Sequence, residues 1–275
     1  MGTSGAWGGS GGRDWGAVSR QAGELADDPS SANAEAVLEP LADAMEWLEA
    51  PEEPQETEVG EPGLVLPPLP VGTAWPALTR TGGGGGPGRL GQGGTPSGAG
   101  RRTSAAGGGR SSGRAATVGG RVLSAGLAYQ RGDADALTGL GLDLGALQSM
   151  SMMRRANTIL NRLVGADGDI EAMELRAVNS RVLREMLVNE LSGPDAVRLY
   201  ILEYVMQVYS SETGETTRNG ARDGRAAAEA ERQLRSALSV RVRQIDLPQG
   251  MVGGDRLRDA IQNALGLMRR LMRPR

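Results

Sequence analysis

The sequence predicts an all-α C-terminal domain, built as a helical bundle, preceded by a long, largely disordered Gly/Pro-rich N-terminal region. Three observations lead there. Of the 43 glycines, 30 lie in residues 1–132 and 13 in the remaining 143, so the two halves are different materials. Apolar residues recur at sustained helical spacing only after about residue 117. The aromatic fraction is 3 % with no phenylalanine, which is thin for a core spread over all 275 residues.

The chain opens MGTSGAWGGSGG, which has no pattern capable of packing, and residues 1–23 read as a flexible Gly-rich tail. Residues 24–61 carry 13 acidic side chains and no basic one, whereas residues 62–132 carry eight arginines and no Asp or Glu. Blocks of one charge solvate themselves rather than fold. Within the acidic segment, ANAEAVLEPLADAMEWLEA sets Val37, Leu38, Leu41, Met45 and Leu48 near helical spacing, with Trp47 beside them. A short amphipathic helix is expected there, either a docking segment or a transient one, with Pro40 near its first turn or at a break. The prolines from Glu52 to Pro76, including LVLPPLPVGTAWP, favour extended polyproline-like chain. Residues 62–116 as a whole read as a Pro/Gly/Arg-rich linker. All four tryptophans, Trp7, Trp15, Trp47 and Trp75, fall in this half, either incidentally or as anchors for a partner's pockets.

Residues 117–275 form the helical domain. Val118, Val122, Leu123 and Leu127 make one apolar stripe; Leu137, Leu140, Leu144 and Leu147 make another, weakened by Gly139, Gly141 and Gly145. Met152, Met153, Ile159, Leu160 and Leu163 continue the pattern. From the candidate N-cap Asp169, the positions Ile170, Met173, Leu175, Val178, Val182, Leu183, Met186, Leu187 and Leu191 mark a helix that Gly193 stops. Pro194 suits the first turn of the next, whose broad apolar face carries Val197, Tyr200, Ile201, Tyr204, Val205 and Val208. SSETGETTRNG reads as a polar loop. A long helix from about Asp223 to Gln244 holds Ala230, Leu234, Leu238 and Val242 in register, and a last one after DLPQGMVGG carries Leu257, Ile261, Leu265, Met268 and Met272.

The absence of histidine and cysteine removes the imidazole base, the thiolate nucleophile, disulfides and ordinary zinc and haem sites. GADGD with Glu171 lacks the twelve-residue ligand spacing of a calcium loop and reads as a capped helix start. The glycine run at 82–88 holds no lysine and follows no strand, unlike a phosphate-binding loop. The terminal RRLMRPR suits the negative end of a helix dipole. No catalytic constellation, metal site or bound cofactor is expected, and the chain reads as non-enzymatic. With no apolar run of about 18 residues and no secretory leader, a cytoplasmic location away from membranes is expected. The Gly/Arg stretch around 101–114 resembles RNA-binding segments, yet strict repeats and interleaved aromatics are missing and the net charge is −3, so nucleic acid is not the expected ligand.

All 30 basic residues are arginine. A GC-rich genome explains that composition, and the chemical consequence holds whatever its origin. With no lysine, the α-amino group is the expected single primary amine, and its reference pKa of about 7.7–8.0 leaves part of it neutral near pH 7. The small Gly2 invites removal of Met1, which moves that amine onto Gly2. Myristoylation at the same glycine wants Ser or Thr where Ala6 stands, so a lipid anchor is disfavoured.

The opening MGTS, followed by small residues and a GG, then a Pro/Gly-rich tail and a helical C-terminal half, resembles the B component of the bacterial Qat anti-phage defence systems. The likeness is close at the N-terminus and one of layout from about Arg121 to Leu247; a long acidic insertion, and GGSGG in place of GGP, set this chain apart. What the resemblance implies is a four-component system of an ATPase, this protein, a QueC-like enzyme and a TatD-like nuclease. Enzymes of the QueC type use ATP to activate a 7-carboxy-7-deazaguanine carboxylate, and a relative in such a system could pass it to a protein amine. The implied site is Gly2 as the modified residue, with Thr3 and Ser4 read by the QueC-like enzyme and the helical domain binding the ATPase. A covalent deazaguanine on the N-terminus is the group it would carry, and Trp7, Trp15, Trp47 and Trp75 stay, from their placement alone, the possible partner-docking residues. An unmodified scaffold or adaptor, and a Gly/Arg-rich RNA-binding protein, are the alternative readings.

Overall fold

The computed structural model describes residues 15–46, 111–165, 170–221 and 223–273. Among them are ten helices and no strand: α1 (Trp15–Asp27), α2 (Ser31–Ala44), α3 (Ser112–Arg131), α4 (Ala134–Gly139), α5 (Leu144–Gln148), α6 (Met152–Leu163), α7 (Ile170–Val188), α8 (Gly193–Gly220), α9 (Gly224–Arg243) and α10 (Gly254–Met272). Seven begin at a Ser or Asp, namely Ser30, Ser111, Asp133, Asp143, Ser151, Ser192 and Asp223, whose side chain accepts the backbone N–H three residues on. Each such cap satisfies a donor that the helix itself leaves unpaired and stabilises it by about 1 kcal/mol. The described residues belong to one compact unit assembled from both ends of the sequence, residues up to 51 and from 107 onward.

Two apolar cores hold the helices. The larger joins α1, α2, α3 and α7 to α10 around the fully buried Leu25, Leu38, Leu41, Tyr200, Leu234 and Leu265. A smaller one lies beneath α3 to α7 around Leu137, Leu147, Ile159, Leu160 and Leu183. Burial of each large aliphatic side chain is worth roughly 1.5–3 kcal/mol, which is what lets a chain so poor in aromatics fold. Where α3 meets α10 the backbones nearly touch: a Cβ on Gly120 would stand 2.8 Å from both the Arg258 nitrogen and the Gly254 oxygen. Only glycine permits that approach.

Several sequence expectations are revised. The segment 1–23, read as tail, is helical from Trp15, and Val18, Ala22 and Leu25 of α1 are fully buried. The acidic segment contributes α2, which docks rather than fluctuates; Val37, Leu38, Leu41 and Met45 are buried, and Pro40 lies inside a helix that continues through it to Ala44. Packing of that apolar face outweighs the one backbone hydrogen bond Pro40 cannot make. SSETGETTRNG is no loop, because α8 runs on to Gly220 with Thr213 fully buried and its Oγ1–H donated to the Tyr209 carbonyl at 2.8 Å. The stripe from Leu137 to Leu147 is split into α4 and α5 across Gly141, which has φ +72°. Met152, Met153 and Met173, read as part of the apolar pattern, are exposed. The helical domain begins at Ser112 rather than 117.

Candidate functional site

Gly2, Thr3, Ser4, Trp7, Trp47 and Trp75 lie outside the described residues, as does Asp169. Trp15 is the one predicted site residue placed: it opens α1, is partly buried and packs against the larger core. Any terminal handle is therefore attached to a helix fixed in the domain.

The α1–α2 hairpin sits on α8, α9 and α10 and is fastened from one side by arginines. Arg269 of α10, only 6 % exposed, donates its Nε–H to the Ala42 carbonyl at 3.1 Å and reaches the Glu46 carbonyl at 3.5 Å. That places a guanidinium where the last carbonyls of α2 carry the negative end of the helix dipole. Arg241 of α9 pairs with Glu35 at 2.7 Å, and Arg273 pairs with Asp43 at 2.5 Å. On the other flank Gly220 of α8 comes within van der Waals reach of Gly23 in α1, since a Cβ there would stand 3.0 Å from the Gly23 oxygen. Glu35 and Asp43 of the acidic block therefore meet counter-charges within their own chain, at Arg241, to which the sequence reading gave no role, and at Arg273, which it placed only at the end of a helix dipole.

A second feature is a half-open groove of about 570 Å³ between α10 and the segment that follows α9. Leu247, Met251, Ala260, Ala264 and Leu267 form its apolar lining, and Arg256 and Asp259 stand among its polar residues. Local chemistry sets the path of that segment. Arg198 donates to the Ile245 carbonyl at 3.1 Å, Ile245 and Met251 are buried in the core, and Gly250 and Gly253 adopt φ +71° and +91°. Gly193 at the start of α8 lies so close to the Met251 carbonyl that no larger residue fits without movement.

The third is an ionic cluster around one buried carboxylate. Glu203 of α8, 5 % exposed, receives both guanidinium nitrogens of Arg235 from α9, the second at 3.2 Å, and Arg181 of α7 approaches it at 3.6 Å. The hydrogen bonds that Arg235 donates to Glu203 raise its pKa above the ordinary value, and burial opposes the rise. One carboxylate so ties three helices together. Nearby in sequence, Tyr200 stacks on Tyr204 at 6.2 Å and donates its hydroxyl to the Ala115 carbonyl of α3 at 2.7 Å. Burial drives the Tyr200 phenol far above the usual tyrosine range.

Among the described residues no three His, Cys, Asp or Glu side chains group as metal ligands, and no helix is long and apolar enough to cross a membrane. The site features that sequence reasoning missed had one available signal: Arg269 follows Leu265 by four positions and precedes Met272 by three, so an arginine sits on the apolar stripe of α10. Comparison with protein-family models, with curated proteins and with solved structures gives no match.

Proposed function

We propose that this chain is a non-enzymatic component of a bacterial anti-phage defence complex, with Gly2 as the residue that a QueC-like partner couples to a deazaguanine carboxylate. The observation that carries the reading is compositional: 30 basic residues and not one lysine, so an enzyme that acylates amines meets no competing side chain. Thr3 and Ser4 are the residues it would read beside the acceptor. The neutral Gly2 nitrogen attacks the carbon of the ATP-activated carboxylate, the new C–N bond becomes an amide as the bond from that carbon to the oxygen of the activating group breaks, and the activating group leaves with that oxygen while the amine proton passes to solvent. The helical domain is the part that binds the ATPase, and a TatD-like nuclease completes the complex.

The geometry supports this division of labour in one respect. Residues 2–14 precede a helix seated in the core, and fully extended they span at most about 45 Å, so a modified terminus would act within that radius of α1. Intact-mass analysis tests the proposal. Protein expressed alone should show loss of Met1, and protein co-expressed with its neighbouring genes should gain a deazaguanine-sized adduct on the N-terminal peptide. An unmodified terminus on protein that still confers protection defeats the proposal and leaves the unmodified adaptor. Deleting residues 2–10 separates the two readings again, because an adaptor working through its helical domain keeps its activity.

A further inference from the structure

We propose that the α1–α2 hairpin and the last two turns of α8 open and close as one unit while the smaller core stays folded, which couples the N-terminal helix of the chain to the turn between α8 and α9. The coupling is independent of any modification of Gly2.

The end of α8 has no means of its own to stay helical. Residues 213–220, TGETTRNG, contain no apolar side chain, and only Thr213 is buried. Two glycines, three threonines and an asparagine among them are weak helix formers. Nor is α1 self-sufficient, because 13 residues with Gly16 and Gly23 among them are about the length at which an isolated helix is marginal even for good formers. Each segment is supported by the other. No helix packs on α8 more extensively than α1 does. Thr216 Cγ2 stands 3.7 Å from where a Cβ of Gly23 would be, and a Cβ on Gly220 would lie 3.0 Å from the Gly23 oxygen and 3.1 Å from its Cα. Where glycine meets glycine, neither side has a side chain to follow the other, so a displacement of α1 breaks the contact at once.

The hairpin brings α2 into the unit. Asn33 closes its junction, donating from Nδ2 to the Asp28 carbonyl at 2.8 Å and from its backbone N–H to Ser30 Oγ at 3.2 Å. α2 packs on α1, α9 and α10, whereas its contact with α8 is slight at most, so its link to residues 213–220 runs chiefly through α1. The limit of the unit is set by the smaller core. Val122, Leu137, Ile159, Leu160 and Leu183 come from α3 to α7 alone, and opening the hairpin removes none of their mutual contacts. Coupling of this kind is reciprocal: what stabilises either segment stabilises the other, and a partner that draws α1 from its place unwinds the end of α8.

Native-state hydrogen exchange on the full chain, read by mass spectrometry across sub-denaturing urea, tests the coupling. Amides of α1, α2 and residues 213–220 should share one opening equilibrium with one urea dependence, and should be about tenfold or more less protected than those of α6. Gly214→Ala supplies the reciprocal test, because its methyl meets nothing within 4 Å and acts through helix propensity alone. It should slow exchange in residues 213–220 by about two- to fivefold, slow α1 and α2 by the same factor, and leave α6 unchanged. Residues 213–220 opening on a different urea dependence from α1, the hairpin opening only when α6 does, or a Gly214→Ala effect absent from α1 would each overturn the proposal.

Discussion

Arg269 and Ala42, 227 positions apart in the sequence, are joined by a hydrogen bond of 3.1 Å from the guanidinium Nε–H to the backbone carbonyl. The contact explains how a strongly acidic N-terminal segment becomes part of a domain otherwise built from the C-terminal half. Apolar burial supplies most of the attraction, and the arginine fixes where the end of α2 lies. A guanidinium suits the role because its planar fork serves two carbonyls at once and stays charged when buried.

Removing that fork is expected to matter more than removing a neighbouring ion pair. Arg269→Ala deletes charge-assisted hydrogen bonds in a buried setting and should cost about 1.5–3 kcal/mol. Arg273→Ala deletes a pair with Asp43 in which both side chains are more than two-fifths exposed, and should cost under about 1 kcal/mol. Urea midpoints of the two variants check the order. Equal losses would contradict the assignment of Arg269 as the cap.

Glycines in the same fold should respond with opposite signs. Gly120→Ala forces a methyl to 2.8 Å from backbone atoms of α10, which cannot rotate away, and should destabilise the chain by about 1–3 kcal/mol. Gly214→Ala, inside α8 with nothing within 4 Å of the new methyl, should stabilise it by about 0.5–1 kcal/mol through helix propensity alone. Thermal melts of both variants provide the measurement.

Most of the helices from α3 to α10 are legible because their apolar stripes are local signals. Asp223 before α9 and Pro194 in the first turn of α8 fall where the sequence places them. The two largest departures share one physical cause. Alone, WGAVSRQAGELAD looks like a continuation of the glycine-rich tail, and SSETGETTRNG like a loop. In the fold α1 covers the end of α8: Thr216 lies 3.7 Å from where a Cβ of Gly23 would stand, and Gly220 approaches the Gly23 backbone. Each polar, small-residue segment is helical because it is packed against the other, and a pairing across some two hundred residues leaves no local trace. The candidate site was less legible still. Thr3 and Ser4 rest on a resemblance alone and Gly2 on that resemblance together with the absence of lysine, whereas the arginine seat depends on which helices meet.

The Glu203 cluster should show the asymmetry of a buried ion pair. Arg235→Ala leaves a carboxylate in the interior with only Arg181 at 3.6 Å, and should cost about 3–5 kcal/mol at neutral pH. Glu203→Gln leaves two arginines, each more than one-third exposed, that water can still solvate, and should cost less. Urea midpoints of the two variants at neutral pH check the order, and equal destabilisation would argue that the contact is shape rather than charge.

Alkaline pH should unfold the protein through its tyrosines. Burial raises the phenol pKa of both Tyr200 and Tyr209 in the folded state, whereas in the unfolded chain each ionises near its ordinary value of about 10. Above that value the native state retains protons that the unfolded chain has released. Stability is therefore insensitive to these groups below about pH 10 and falls above it, by up to about 1.4 kcal/mol per pH unit for each tyrosine. The window is unusually clean, because the chain has no lysine and no cysteine to titrate beside them. Urea unfolding between about pH 9 and 11.5 should show that decline. Tyr200→Phe should lose about 1 kcal/mol at pH 8 with the hydrogen bond to Ala115, yet decline with a shallower slope above pH 10. Parallel slopes for the two proteins would mean that the Tyr200 hydroxyl is not the group that resists ionisation.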